Sequence, residues 1–315
     1  MNNILVTGGS GFIGSSIVKM LIEKNYAVTV LDDMSRGSMR RLRGLENNFK
    51  LVDGDIREKK TVLKALENID SVFHLAYING TQNFYDYPEK VLDVAVRGMQ
   101  NLVECAELTE LDSFFLASSS EVYQEPPMFP TPELIPMVVP NVFNPRYSYG
   151  LGKIYQEFMT VHCLKNVRRK IIFRPHNIYG PDMGFQHVIP ELFTRLLNLK
   201  GQDFQIKGNG EQLRTFCEIS DFIDGIEALM TLDVECEIFN IGSTYEISIY
   251  QLAQEIIAVL GLDIDIQKSE APMGETMKRL PDISKISSLG YSPKIDITTG
   301  LIRYKSWFES EGKNL

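Results

Sequence analysis

The chain has 315 residues, of which 44% are hydrophobic and 23% charged, a composition typical of a folded globular protein rather than a disordered one. At roughly 150 residues per domain, this length suggests about two domains and a core that needs no disulfide or structural metal. Lysine and arginine number 32 against 41 acidic residues, and the resulting net charge of −9 argues against nucleic-acid binding as a main role.

Metal, membrane and secretory classes are also disfavoured. The cysteines and histidines lack the spacings of zinc or dithiol sites, so we predict no metal. No apolar run approaches the ~20 residues of a membrane span. The first residues lack the basic and apolar regions of a secretory signal. We therefore expect a cytoplasmic protein that does not act at a membrane.

Apolar strands and amphipathic helices alternate through the first half of the chain. Strands that are apolar at every position, as expected when both faces are covered, are predicted at 4–6, 27–31, 50–52, 71–75 and 114–117. Helices are predicted at 12–22, around 62–66 and at 88–108. Repeated βαβ units of this kind predict an α/β fold with a Rossmann-type, doubly wound parallel sheet.

The second half of the chain is less regular. A proline-rich stretch from Pro126 to Pro145 is too apolar for a simple tether, so we predict a surface loop near a site. A helix at 147–164 and a strand at 171–173 follow it. Further helical patterns occur near 188–199, 220–231, 249–260 and 298–308.

The first predicted strand ends in the glycine-rich turn TGGSGFIG at residues 7–14. Gly8, Gly11 and Gly14 are three apart, a spacing that permits a tight turn, close approach to a pyrophosphate and close helix packing. The helix that follows offers free amide groups and a partial positive charge to phosphates. We predict dinucleotide binding here, with a purely structural glycine turn as the alternative.

Acidic residues at the end of the second strand favour NAD over NADP. Asp32 and Asp33 lie about twenty residues beyond the glycine turn, where a carboxylate binds the adenosine ribose and repels a ribose phosphate. Arg36 is the one residue that favours NADP. Asp55 and Ile56, after the third strand, are predicted to contact the adenine, although a loop cap explains Asp55 equally well.

A tyrosine, a lysine and a serine indicate a redox site. Tyr149 and Lys153 are four apart on a predicted helix, so both side chains lie on one face. We expect the ammonium to lower the pKa of the phenol from its usual ~10, so that Tyr149 removes a hydroxyl proton while hydride leaves the same carbon. The serines at 118–120 directly follow a strand, at the edge where open α/β sheets bind ligands.

Together these motifs resemble the extended short-chain dehydrogenase/reductase family, in particular its nucleotide-sugar epimerases, dehydratases and decarboxylases. The resemblance covers nearly the whole chain. Its segments are the glycine turn, LDD (31–33), GDI (54–56), HLA (74–76), SSSEVY (118–123), SYGLGK (148–153), RPHNIYGP (174–181), 208–221 and RLPDISK (279–285).

The family resemblance implies an NAD-dependent enzyme that oxidises C4 of a nucleotide-diphosphate sugar. It implies a Rossmann domain over 1–175, with contributions from about 212–245. A smaller C-terminal α/β lobe, mainly over 176–315, would bind the substrate. It also implies a homodimer joined through the helices near 88–108 and 147–164.

The resemblance and the motifs also assign individual residues. We predict Ser119, Tyr149 and Lys153 as catalytic residues, with Glu121 as a candidate for chemistry at C5. The predicted cofactor contacts are Gly8, Gly11, Phe12, Ile13, Asp32, Asp33, Asp55, Ile56, Leu75, Ala76, Tyr149 and Lys153. The predicted substrate contacts are Asn177 at the diphosphate, Arg214 and Arg279 at phosphate, and His176 and His187 in the sugar pocket.

The chain departs from the family pattern around the sugar pocket. Gln124 replaces a usual glycine after the VY pair, and His176 replaces an apolar residue. Gly152 replaces a serine, Ala95 an asparagine, and Tyr77 a small residue after HLA. These changes leave the predicted cofactor and redox residues intact, but they argue against a simple 4-epimerase with a familiar substrate.

Position 121 bears on the reaction that follows the oxidation. Family dehydratases pair an aspartate with a glutamate at positions 120 and 121, decarboxylases carry Ser then Glu, and simple 4-epimerases usually lack this Glu. Ser120 and Glu121 fit the decarboxylase pattern. The sequence leaves open epimerisation, water loss, decarboxylation and net oxidation. A non-catalytic dinucleotide-sensing regulator and an NADP-dependent reductase of small carbonyls are the alternative classes.

Overall fold

A parallel sheet of seven strands forms the centre of the protein in a computed structural model that describes residues 2–199, 203–206, 208–268 and 277–314. In chain order the strands are β1 (Asn3–Thr7), β2 (Ala27–Asp32), β3 (Phe49–Asp53), β4 (Ser71–His74), β5 (Ser113–Ala117), β6 (Arg169–Pro175), β7 (Ile178–Tyr179), β8 (Phe204–Ile206), β9 (Leu213–Thr215), β10 (Cys217–Glu218), β11 (Cys236–Ile241), β12 (Glu246–Ser248) and β13 (Ile266–Lys268). The main sheet has the order β11-β6-β5-β4-β1-β2-β3.

Helices cover both faces of this sheet. In chain order they are α1 (Phe12–Glu23), α2 (Lys59–Ala65), α3 (Thr81–Asp86), α4 (Pro88–Asp93), α5 (Met99–Ala106), α6 (Ser148–Cys163), α7 (Val188–Leu197), α8 (Ile219–Met230), α9 (Ile249–Leu260), α10 (Ser284–Ser287) and α11 (Ile297–Ser310). A π-helical segment, Val94–Gly98, joins α4 to α5, so residues 88–106 run as one long helix.

Strand β1 shows why its sequence is apolar throughout. Ile4 and Val6 pack into the cluster that contains α1 and α8, whereas Leu5 packs on the opposite face with α2 and α5. Successive strand residues point to opposite faces, so a strand covered on both sides has no polar face. The predicted doubly wound α/β fold is confirmed, and each helix and strand predicted from periodicity has a counterpart in the structure.

The order of the sheet places the motifs at one edge. From β1 the chain runs outward through β2 and β3, then returns to β4 on the other side of β1 and continues to β5 and β6. Open α/β sheets bind ligands at such a reversal, outside the carboxyl ends of the strands. Thr7, His74 and Ala117 end β1, β4 and β5, so the glycine turn, the HLA segment and the serines converge there.

Beyond β6, most of the chain builds a second apolar cluster. Helices α7, α9 and α11 contribute Phe193, Leu252 and Leu301 to it, and two small sheets, β8 with β13 and β9 with β12, lie beside them. Strand β11 nevertheless returns to the main sheet and pairs with β6 from Cys236 to Ile241. The division into domains at residue 175 stays a prediction.

The proline-rich stretch is an irregular segment that is fixed to the core. Arg174 donates a hydrogen bond to the carbonyl of Glu133 at 2.8 Å, and the Glu133 carboxylate accepts one from the amide of Asn240 at 2.9 Å. Across the described ranges, no helix combines the length and apolarity needed to cross a bilayer. The same ranges contain no cluster of three or more His, Cys, Asp or Glu side chains that could hold a metal ion.

Candidate active site

Two neighbouring cavities open at the carboxyl edge of the sheet. The first has a volume of about 390 Å³ and contains the glycine turn, the strand-end acids and the predicted catalytic residues. The second has a volume of about 740 Å³ and lies against α7 and β9. Asn177, His187 and Arg279 line both cavities, so a ligand could extend from one into the other.

The backbone of the glycine turn fits a pyrophosphate. Gly8 has a φ of +70°, and a Cβ there would lie 2.8 Å from the amide nitrogen of Ala76. A Cβ on Gly14 would lie 2.0 Å from the carbonyl oxygen of Gly8. Helix α1 begins at Phe12 without a side-chain cap, so its first amides are available to an anion. Only glycine permits this close packing, and it leaves the amides facing the cavity open to a dinucleotide.

The two strand-end aspartates have different surroundings. Asp32 is buried and accepts hydrogen bonds at 3.0 Å from the amides of Ser10 and Met34, so it fixes the glycine turn as well as lining the cavity. Asp33 is exposed and lines the first cavity, and its carboxylate accepts hydrogen bonds from the amide and the hydroxyl of Ser35. Either carboxylate can therefore reach an adenosine ribose.

Asp55 is held by Arg57 and lines the first cavity. Its carboxylate binds the guanidinium of Arg57 at 2.6 Å and the Arg57 amide at 2.8 Å, which is the loop-cap interpretation. It also lines the first cavity beside Ile56. Burial would raise the pKa of Asp55, but the hydrogen bonds and charge of Arg57 hold it below its usual value. The residue is therefore a fixed carboxylate in the lining of the first cavity.

Ser119 and Tyr149 line the first cavity together. Ser119 follows β5, and its hydroxyl acts on the phenol to lower the pKa of Tyr149. Phe84 stacks on the Tyr149 ring, with centroids 4.8 Å apart. Burial raises the pKa of Tyr149 to about 12, and the charge of Glu121 adds to the effect, while the Ser119 hydrogen bond opposes it. The phenol is therefore neutral at physiological pH in this structure.

Lys153 is held away from the role expected for it. Its Nζ donates to the carbonyl of Ala117 at 2.7 Å and to Oε1 of Gln156 at 3.1 Å. Burial lowers the pKa of Lys153 to about 7. The expectation that its ammonium lowers the pKa of Tyr149 is wrong for this structure, because burial dominates both groups and the lysine is engaged by other partners.

Glu121 forms an ion pair across the mouth of the site. Its Oε1 lies 2.5 Å from Nη1 of Arg279, which reaches it from the segment before α10. Burial alone would raise the pKa of Glu121, but Arg279 lowers it, with smaller contributions from Arg146 and Arg214. Glu121 is therefore a carboxylate, able to accept a proton but not to donate one.

The second cavity is positively charged although the protein is acidic. Its lining includes four arginines, Arg146, Arg195, Arg214 and Arg279, and a single acidic side chain, Glu191. The Nε of Arg279 is buried and has no hydrogen-bond partner within the described ranges. Planar guanidinium groups suit phosphate and carboxylate oxygens. This cavity is therefore suited to an anionic ligand.

The structure brings together nearly all of the predicted site residues. The first cavity is lined by Gly8, Gly11, Phe12, Ile13, Asp32, Asp33, Asp55, Ile56, Leu75, Ala76, Ser119, Glu121, Tyr149, Lys153, Asn177, His187 and Arg279. Arg214 lines the second cavity. Asn177 is fixed by donating a hydrogen bond to the carbonyl of Thr215 at 2.8 Å.

His176 is the predicted substrate contact that the structure does not bring to either cavity. It is 3% exposed, and its Nε2 lies 3.0 Å from Oδ1 of Asn240. His176 faces the interior beside Asn240, whereas Asn177, which adopts a φ of +44°, lines both cavities. The placement of His176 in the sugar pocket is therefore corrected to a buried structural position.

Several residues at the site were not predicted to be there. Arg146 precedes Tyr149 by one helical turn, a spacing that could have placed it near the active site. Arg195 lies on α7, and only the fold brings that helix to the second cavity. Tyr77 is a departure from the family pattern that also lines the first cavity.

Comparisons with known proteins agree with this site. A family model described as the NAD dependent epimerase/dehydratase family matches residues 4–242. The UDP-glucuronic acid decarboxylase 1 of Xenopus tropicalis is 31% identical over 98% of this chain and 72% of its own length.

Solved structures resemble the whole chain. A UDP-glucose 4-epimerase from Thermotoga maritima, solved with UDP-glucose, is 27% identical with a TM-score of 0.85, covering 98% of each chain. A UDP-glucuronic acid 4-epimerase from Bacillus cereus, in complex with UDP-glucuronic acid and NAD, is 26% identical with a TM-score of 0.85. That match covers 98% of this chain and 99% of the other.

Proposed function

Because the chain belongs to the NAD dependent epimerase/dehydratase family, we propose that it oxidises C4 of a nucleoside-diphosphate sugar at Ser119, Tyr149 and Lys153. The predicted family, the enzyme class and NAD as cofactor are confirmed. The observation that carries the proposal is the placement of Ser119, Tyr149 and Lys153 in the cavity lined by the glycine turn, beside the arginine-lined cavity. A dinucleotide-sensing regulator has no need for that arrangement.

The chain's own residues can carry out the proton transfer of this step. NAD, when bound, supplies the hydride acceptor, and its oxidised nicotinamide ring adds a positive charge. A positive charge beside the ring favours the phenolate of Tyr149, and this phenolate takes the proton of the sugar hydroxyl while the C–H bond of the same carbon breaks. Ser119 acts in the same direction, because its hydroxyl lowers the pKa of Tyr149. Lys153, fixed by Ala117 and Gln156, keeps a titratable amine one helical turn from the base.

The arginine-lined cavity supports a nucleoside diphosphate as the activating group of the sugar. Guanidinium groups bind the oxygens of a diphosphate well. Arg214 and Arg279 line this cavity, and Asn177 lies at the junction of the two cavities. The three relatives described above each name a UDP-sugar. We therefore propose a UDP-sugar as the substrate class. A reductase of small carbonyls is disfavoured because such a substrate needs no diphosphate-binding site.

A second candidate, decarboxylation of a UDP-uronic acid, is favoured by the Glu121–Arg279 ion pair. Two further arginines, Arg146 and Arg214, act electrostatically on Glu121, so a sugar carboxylate at C6 would find cations beside it. After C4 oxidation the sugar is a β-keto acid. Its C5–C6 bond then breaks, CO₂ leaves, and the electron pair enters the C4–C5 enolate. A proton adds at C5, and hydride returns to C4.

Product masses separate these reactions. The enzyme is incubated with UDP-glucose, UDP-N-acetylglucosamine, UDP-glucuronic acid and the corresponding GDP- and CDP-sugars, and each product is weighed. Unchanged mass with a new retention time indicates epimerisation, loss of CO₂ indicates decarboxylation, and loss of water indicates dehydration. Loss of two hydrogens indicates net oxidation. No change with any sugar, in protein shown to bind NAD, would contradict the proposed function.

The homodimer and the cytoplasmic location are also proposals. Helix α6 presents Leu151 and Phe158, which are 42% and 56% exposed and two helical turns apart. Such exposed apolar positions on one helix support an interface with a second copy. Size-exclusion chromatography with light scattering should give a dimer mass. A monomer at micromolar concentration would contradict the dimer, and cell fractionation tests the location.

A further inference from the structure

The ring of Tyr77 contacts both Lys153 and Tyr149. Nζ of Lys153 lies 4.2 Å from the centroid of the Tyr77 ring, over its face. The same ring packs against the Tyr149 ring in a T-shaped arrangement, with centroids 5.1 Å apart and planes at 78°. A single side chain from the segment after β4 thus touches the base and the lysine of the proposed reaction.

Two unusual residues leave room for this ring. A Cβ on Gly152 would lie 2.0 Å from the hydroxyl oxygen of Tyr77 and 2.8 Å from Cβ of Ala95. Any larger residue at 152 must therefore displace Tyr77 or Ala95. Tyr77, Ala95 and Gly152 are three separate departures from the family pattern in the sequence. In the structure they form one packing unit beside the catalytic lysine.

The chemistry of Tyr77 suits the positioning of Lys153 and Tyr149 rather than proton transfer. Its hydroxyl makes only a 3.5 Å contact with the carbonyl of Tyr149. Burial raises the pKa of Tyr77 well above its ordinary value, so it remains a neutral phenol. The face of an aromatic ring attracts an ammonium, most strongly where water is excluded. Lys153 donates hydrogen bonds to Ala117 and Gln156, and the Tyr77 ring lies against its Nζ as a third contact.

We propose that Tyr77 is a positioning residue whose ring fixes the Lys153 ammonium and the Tyr149 phenol relative to one another for the oxidation. The inference rests on the proposed function, because it takes Tyr149 and Lys153 to be the residues that act at C4. The ring, rather than the hydroxyl, carries the effect. Gly152 and Ala95 must stay small because larger side chains there would displace the Tyr77 ring.

Two substitutions separate the ring from the hydroxyl. Tyr77→Phe keeps the aromatic face, and Tyr77→Leu fills the space without it. We measure kcat and KM for the UDP-sugar that turns over fastest, together with NAD affinity and thermal midpoint. The Phe variant should keep kcat within about threefold of wild type, whereas Leu should lower it about tenfold or more with KM changed less than about threefold. Tyr245→Leu, at a 63% exposed tyrosine, is the matched control.

The steric part is tested by a double-mutant cycle. Gly152→Ala should lower kcat in the wild-type background because its methyl group displaces the Tyr77 ring. Its effect should be smaller in the Tyr77→Leu background, because only the contact with Cβ of Ala95 remains. If Tyr77→Leu does not fold, Tyr77→Met takes its place in the same comparison.

Equal kcat values for the Leu and Phe variants would overturn the inference, as would an effect of Gly152→Ala that is the same in both backgrounds. Tyr149→Phe is measured in parallel. If it remains active, the proposed function fails. If it is inactive while Tyr77→Leu is fully active, only the role of Tyr77 fails.

Discussion

Glu121 and Arg279 form an ion pair of 2.5 Å although 158 residues separate them in the chain. The contact joins the segment after β5 to the segment before α10, and both side chains line the first cavity. It keeps Glu121 ionised in a largely buried position. In the proposed reaction the pair would supply a base and a cation beside the sugar, which chemistry at C5 or C6 requires.

Replacing Glu121 tests that role. Glu121→Gln keeps the shape of the side chain but removes its capacity to accept a proton. We expect the reaction to stop at a 4-keto sugar, which borohydride reduction with deuterium label and mass spectrometry would detect. The exposed Glu125→Gln is the matched control. Normal product formation by Glu121→Gln would exclude a role at C5.

Replacing Tyr149 tests the base. Tyr149→Phe keeps the stack on Phe84 but loses the hydroxyl that Ser119 contacts. Because general base catalysis contributes typically 10²–10⁴-fold, kcat should fall by about that factor while NAD affinity stays nearly unchanged. Steady-state kinetics and a cofactor titration measure both. Tyr155→Phe on the same helix should be close to wild type, and equal activity of the two variants would remove Tyr149 from the mechanism.

Asp182 should control how fast the cofactor leaves. Its carboxylate binds Arg40 and Arg41, and Arg41 also donates to the carbonyl of Ser10 in the glycine turn at 3.1 Å. Asp182 has a φ of +67°, which asparagine tolerates, so Asp182→Asn removes the charge without new backbone strain. We expect faster NAD release, measured by displacement in stopped flow.

The control for that experiment is Asp233→Asn, which removes a surface ion pair with Arg168 far from the cofactor cavity. Exposed pairs contribute little, so its NAD release should match wild type. Raising the salt concentration should narrow the difference between wild type and Asp182→Asn, because screening weakens the ion pair. Identical rates of NAD release in Asp182→Asn and Asp233→Asn would show that the ion pairs of Asp182 with Arg40 and Arg41 do not retain the cofactor.

Two buried histidines predict loss of stability in acid. Burial lowers the pKa of His74 to about 3 and that of His176 to about 4. Both are below the ~6.5 of an unfolded chain, so the unfolded state binds more protons as the pH falls from about 6.5 towards 4. The free energy of unfolding therefore decreases over that range. At about pH 5 each histidine accounts for about 2 kcal/mol of the loss.

Urea unfolding near pH 7.5 and pH 5 measures this effect. His176→Gln should lose about 2 kcal/mol less than wild type between the two conditions, whatever its stability at neutral pH. His162→Gln, at an exposed position, should follow wild type. A pH dependence of His176→Gln equal to that of wild type would mean that His176 binds its proton equally in both states.

Features fixed by a single backbone segment could be predicted from sequence. The glycine turn imposes its own requirements, since Gly8 adopts a positive φ and Gly14 packs on a carbonyl. Asp32 follows from its place at a strand end. The alternation of apolar strands and helices likewise determined the main sheet, because a strand buried on both faces has few alternatives.

Features that arise from contacts between distant segments could not be predicted. Arg195 reaches the site only because α7 packs beside β9 and the second cavity. His176 was misplaced because the direction of its side chain depends on its contact with Asn240 of β11, 64 residues further along the chain. The pKa of Tyr149 was misjudged because burial, which sequence spacing does not report, is the largest influence on it.

Transfer of the C4 hydrogen of the sugar tests the central claim most directly. The enzyme is mixed with its UDP-sugar carrying deuterium at C4, quenched during turnover, and the protein-bound cofactor is weighed. Oxidation at C4 predicts reduced cofactor that carries one deuterium, formed in wild type and not in Tyr149→Phe. Turnover without deuterium in the cofactor would contradict oxidation at C4 and with it the role assigned to Ser119, Tyr149 and Lys153.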